Sequence, residues 1–78
     1  MTIAKRLKDE RKAQGICIRE FAMQAGVRAK TQSDYESGAR LPRADYFYVL
    51  HHLGMDVSYI LLGLRTKPVP TSRRKLIH

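Results

Sequence analysis

Side chains able to do acid–base, nucleophilic or metal chemistry are few in this sequence, and they do not fall into working sets. His51 and His52 are adjacent, so on a helix they point about 100° apart and cannot converge on one metal ion without distant help. Cys17, the only cysteine, lies on another element and has no Cys-x-x-Cys partner. Asp9 and Glu10 read as an exposed helix face, and no paired-carboxylate arrangement stands out. There is no glycine-rich phosphate loop and no Ser/His/Asp order. The expectation is a protein that is not an enzyme and has no metal and no cofactor. What remains is charge: 15 Lys and Arg face 7 Asp and Glu, a net +8. That balance points to a polyanion, either nucleic acid or an anionic membrane surface. The plainer alternative is charge that only keeps the protein soluble.

The chain has 78 residues, which argues for one domain of modest stability. A single cysteine cannot make an intrachain disulfide, so a disulfide-stapled secreted scaffold is excluded and a reducing cytoplasm fits better. The longest apolar run, Tyr59 to Leu64, is far shorter than the roughly 18 residues of a membrane span. Lys5, Arg6 and Lys8 are followed by more charge, so no secretory signal is expected. Residues 1–64 hold ten basic and seven acidic side chains, a balance of +3. Residues 65–78 hold Arg65, Lys67, Arg73, Arg74 and Lys75 with no acid, together with Pro68 and Pro70. The division expected is therefore a domain over 1–64 and a flexible basic tail over 65–78.

Five short helices must position whatever this charge serves. Helix 1 spans about 2–14, with Thr2 as its cap, Ile3, Leu7 and the stem of Arg11 on one face, and Gly15 as its stop. Helix 2 spans 18–25 and buries Phe21, Ala22 and Ala25. Cys17 sits at its cap with Glu20 three residues on, a capping box whose oxygen is replaced by a poor acceptor. Helix 3 spans 29–37, only about three residues after helix 2, and stops at Gly38. Helix 4 spans 44–53, with Tyr46/Phe47, Leu50 and Leu53 as its buried stripe. Helix 5 spans 57–62, is capped by Asp56, stapled by Met55 and Ile60, and buries Ile60 and Leu61. No segment alternates with period two for long enough to make a strand, so the class is all-α.

Ala22, Gly26 and Val27 at the turn, then Tyr35-Glu36-Ser37-Gly38, Pro42 and Tyr59-Ile60-Leu61-Leu62-Gly63 resemble the Cro/repressor type of helix-turn-helix, the XRE family. Pro42-Arg43-Ala44-Asp45-Tyr46 looks like its prophage-regulator branch. The resemblance covers about residues 3–63. It implies a compact five-helix, lambda-repressor-like DNA-binding domain, and an inward ion pair between Arg11 and Glu36. Three positions depart from the pattern: Ile18 where Gln is usual, Gln32 where Ile or Val is usual, and Cys17 at the cap.

On this reading helix 3 enters the major groove of double-stranded DNA with its N-terminal residues at the base edges. Val27, Thr31, Gln32 and Tyr35 face the body. Arg28, Ala29, Lys30, Ser33 and Asp34 face outward as base readers: Lys30 toward guanine O6 and N7, Ala29 toward a thymine methyl, and Asp34 toward cytosine N4. Arg40, Arg43, Arg19 and Ser37 are the phosphate candidates, helped by backbone amides at the N-termini of helices 2 and 4. The alternative for each is a solvated surface side chain. The whole reads as a cytoplasmic, homodimeric, phage- or prophage-type repressor on a near-palindromic operator, its half-sites about 34 Å apart, joined through the helix 5 surface. A second reading is an antitoxin-type module that binds a protein partner and regulates its own promoter. A third, a membrane-surface peptide, fits poorly because the tail is too polar to insert. For the tail itself three readings stand: a solvated end, an added attraction to DNA, or Leu76-Ile77 pairing as a strand in a dimer.

Overall fold

A computed structural model describes residues 2–66, which form five helices and, among those residues, no strand: α1 (Ile3–Gln14), α2 (Ile18–Ala25), α3 (Ala29–Ser37), α4 (Ala44–His52) and α5 (Val57–Leu62). Residues 67–78, which include Leu76-Ile77 and most of the basic tail, lie outside the described residues. None of the described helices is long and apolar enough to cross a membrane.

Local sequence explains where the helices begin and end. Thr2 adopts an extended backbone and its Oγ1 accepts from Lys5 N at 3.1 Å, so it caps α1 from outside. Asp56 caps α5 by accepting from Tyr59 N at 3.2 Å. At Gly26, φ is +79° and the backbone N–H reaches back to Ala22 and Met23 carbonyls. An L side chain is strained in that conformation, whereas glycine adopts it freely and lets α3 restart three residues later, at Ala29, at a new angle.

The core is Leu7, Phe21, Ala25, Tyr35, Tyr46, Leu50, Met55 and Ile60, with Ile3, Ile16, Val27, Phe47, Val57 and Tyr59 packed around it. Helix α1 runs through the middle, against α3 on one side and α5 on the other, while α2 packs on α3 and α4. Two apolar assignments need correcting. Leu53 is 40% exposed and follows the end of α4 as its cap, so the buried stripe of that helix stops at Leu50. Leu61 is 36% exposed and sits at the edge, leaving Ile60 as the buried residue of α5. Ile18, which stands where Gln is usual in the pattern, is half-buried.

The C-terminal boundary also differs from the expected one. Glu10 is not on an exposed face: it is buried, and it meets the buried Asp56 around the guanidinium of Arg65. Arg65 Nη1 lies 2.6 Å from Glu10 Oε1 and 3.7 Å from Asp56 Oδ2, and the guanidinium stacks 3.8 Å from the Tyr59 ring centroid. Thr66 donates its backbone N–H to Asp56 Oδ2 at 3.0 Å and its hydroxyl to Asp56 Oδ1 at 2.8 Å. Two buried carboxylates without a cation would be costly, and Arg65 supplies it. Arg65 and Thr66 therefore belong to the folded body.

Candidate nucleic-acid interface

Helix α3 has a fixed inner face and an exposed outer one. On the inner face, Tyr35 and Gln32 are buried, and Tyr35 meets Tyr46 of α4 edge-to-face with ring centroids 4.8 Å apart. Gln32 completes a chain of polar contacts that crosses three helices. Tyr46 Oη donates to Gln32 Oε1 at 2.5 Å, Gln32 Nε2 donates to Glu36 Oε2 at 2.7 Å, and Arg11 of α1 grips both Glu36 oxygens at 2.7 and 3.0 Å. Arg11 Nη1 donates to the Ile16 carbonyl at 2.8 Å. Every buried side-chain polar atom among the described residues has a partner, which is the condition under which such a network rigidifies a core. Burial pushes the Tyr46 phenol well above its ordinary value of 10.0, and the Glu36 charge pushes in the same direction.

The outer face presents Arg28, Ala29, Lys30 and Ser33 to solvent, with Asp34 half-buried beside them. Lys30 Nζ sits 2.8 Å from Asp34 Oδ1, one helical turn on, so these two candidates form a pair and the acid has a local role. Ser37 is exposed, but its hydroxyl is engaged in the helix end, donating to Asp34 O at 3.2 Å and accepting from Ala39 N at 3.3 Å.

Flanking α3, the described residues place Arg19, Arg40 and Arg43 on the surface. Arg40 lies over the Tyr35 ring at 5.8 Å, and Arg43 Nε is 3.4 Å from Asp45 Oδ1, a pair that is mostly exposed and worth little on its own. The helix starts divide in a telling way. Helices α1 and α5 carry side-chain caps, whereas α2, α3 and α4 begin at Cys17, Arg28 and Arg43 with no side-chain hydrogen bond to their first amides. Such amides, with the helix dipole behind them, suit an anion.

Sequence reasoning missed the tie of Gln32 to Tyr46 and the whole Glu10–Asp56–Arg65–Thr66 cluster. A signal for Glu10 was present: Ile3, Leu7, Glu10, Arg11 and Gln14 recur at helical spacing on one face of α1, and Gln14 Nε2 does donate to Glu10 Oε2 at 3.1 Å. No group of three or more His, Cys, Asp and Glu residues able to hold a metal occurs among the described residues. No family model, curated protein or solved structure matches the chain.

Proposed function

We propose that this protein is a sequence-specific double-stranded DNA-binding regulator built on a Cro/repressor-type helix-turn-helix, in a lambda-repressor-like five-helix arrangement. Helix α3 is the recognition helix and acts as half of a cytoplasmic homodimeric repressor. The observation that carries this reading is the two-sidedness of α3. Its inner face is locked to α1 and α4 by the Arg11–Glu36–Gln32–Tyr46 chain. Its outer face offers Arg28, Ala29, Lys30 and Ser33 to a groove. A recognition element needs both, because base edges are read by side chains whose backbone does not move. Arg19, Arg40, Arg43 and the uncapped starts of α2 and α4 would hold the flanking phosphates.

A second copy is the natural complement, because one such helix reads only a few base pairs and two-fold symmetry extends the site to half-sites one turn, about 34 Å, apart. Leu62 and Leu64 are 69% and 62% exposed, and with Leu61 they form an apolar edge at α5 suited to that contact. The same edge supports a second reading, an antitoxin-type module that holds a different protein while binding its own promoter. A titration on the DNA upstream of its own gene at several salt concentrations tests the proposal. Tight binding that prefers one sequence and weakens steeply with salt supports it; equal affinity for all sequences, or none, overturns it. Co-purification of an unlike partner selects the second reading over the homodimer.

A further inference from the structure

Lys30 and Asp34 sit one turn apart on the outer face of α3, and their charged ends meet, with Lys30 Nζ 2.8 Å from Asp34 Oδ1. Helix stability does not account for this pair. An acid placed before a base supports a helix better than the reverse order, and the reverse order is the one found here. Lys30 stands in the first turn of α3, where the helix dipole favours an acid, and Asp34 stands in its second half, away from the end that favours one. Nor does the Asp34 carboxylate hold the end of the helix. The bonds made there by Ser37 Oγ and Arg40 N, each 3.2 Å long, go to the backbone carbonyl of Asp34.

The separation of the two charged ends suits a single base pair. Four residues of helix rise about 6 Å, more than the roughly 3.4 Å between successive base pairs. The tips nevertheless close to 2.8 Å, within one step. In the major groove a G·C pair offers guanine N7 and O6 as acceptors and, beside O6, the cytosine N4 amino group as a donor. O6 and N4 are joined by the base-pair hydrogen bond, so they lie about 2.9–3.0 Å apart, as in other N–H···O bonds. A cation and a carboxylate held at that separation present the complementary edge, donor to acceptor and acceptor to donor. An A·T pair orders its groups as N7, N6 and O4, so a carboxylate taken to N6 meets the N7 acceptor beside it.

We propose that Lys30 and Asp34 act as one reader of a single G·C pair in each half-site. Lys30 donates to guanine N7 and O6, and Asp34 accepts from cytosine N4 of the same pair. This rests on the reading of α3 as the recognition helix. It makes Asp34 a specificity-determining residue, because the other base pairs bring its carboxylate against or beside an acceptor, and the acid rejects them while the lysine attracts.

Selection of binding sites from a randomised duplex library tests it, run with the wild-type protein, Lys30→Ala, Asp34→Ala and the double variant. Each single variant should lose a preference of about tenfold at one and the same G·C position, and the double variant should lose no further position. Loss at two different positions, or loss in Lys30→Ala alone, overturns the proposal. So does an Asp34→Ala protein that binds all duplexes more tightly with every preference intact, because the acid then only repels phosphate. A second readout needs no variant. On the selected site, 7-deazaguanine at that pair, which lacks the N7 acceptor, should weaken wild-type binding, whereas inosine, which lacks only the minor-groove amino group, should not. Equal effects of the two bases, or none from 7-deazaguanine, overturn the proposal. A wild-type selection that yields no preferred site overturns the recognition-helix reading itself, and this proposal with it.

Discussion

At the residue scale, the outer face of α3 makes a clean distinction between reading and holding. If Lys30 reads a base, Lys30→Ala should cost about 1–3 kcal/mol of binding and relax preference at one position in each half-site. Uniform weakening over all sequences would make it a phosphate contact instead. Asp34, which holds Lys30 Nζ at 2.8 Å, would then be the residue that aims it. On the inner face, Tyr46 gives stability a pH signature. Its phenol is raised above the ordinary 10.0 by burial, so the unfolded chain ionises first as pH rises. The contribution of Tyr46 is therefore fully present below about pH 10 and falls above it, with the unfolded state binding fewer protons. Urea midpoints measured from pH 8 to pH 11 should show that decline, and Tyr46→Phe should reduce it. That substitution also leaves Gln32 Oε1 without its donor, at a cost of about 1–3 kcal/mol. No local pattern pairs Gln32 with Tyr46, because they are 14 residues apart on different helices, whereas the Arg11–Glu36 pair was what the family resemblance implied.

At the element scale, boundaries were legible because they are made locally. Glycine in the left-handed conformation and the caps Thr2 and Asp56 act within a few residues, and the five helices fall within a residue of where those signals put them. Burial at helix edges was not legible, because which side of Leu53 or Leu61 meets another helix depends on crossing angles that spacing does not encode. Helix α2 offers a direct test of capping. Cys17 has the extended backbone of a cap (φ −76°, ψ 166°) but makes no side-chain bond. Cys17→Ser should therefore raise stability by about 1 kcal/mol, read as a higher urea midpoint at unchanged slope. If the first amides of α2 instead serve phosphates, the same variant should bind DNA less well while being more stable. Helix α5 presents the opposite case. Six residues are too few to persist alone, and Arg6 supports it from α1 by donating to the Ile60 and Leu61 carbonyls at 2.9 and 3.1 Å.

At the scale of the whole molecule, the charge divides differently once Arg65 is counted with the body. Residues 1–66 hold eleven basic and seven acidic side chains, a balance of +4, and residues 67–78 hold four basic side chains and no acid. Truncation after Thr66 should flatten the dependence of log affinity on log salt by at most about 3.6, four cations at about 0.9 each, while base preference stays intact. Preference lost with those residues would put specificity in the wrong part of the chain. Truncation after Leu64 should behave quite differently, because it leaves Glu10 and Asp56 buried without their cation. We expect a loss at the lower end of about 3–5 kcal/mol for Arg65→Ala, since the Arg65 side chain keeps 29% of its exposure. Chemical denaturation of the two truncations side by side separates a dispensable extension from a structural one. The cluster was illegible in sequence because it joins residues 55 positions apart across a composition shift that reads as the end of a domain. It also bears on how the chain is made. Arg65 is synthesised 55 residues after Glu10, so a nascent chain holds α1 complete before Arg65 can neutralise its buried acid. Contacts of such sequence separation form late and set the pace of folding. A ribosome-bound chain stalled before Arg65 should accordingly remain open to protease, and one stalled far enough beyond it should resist.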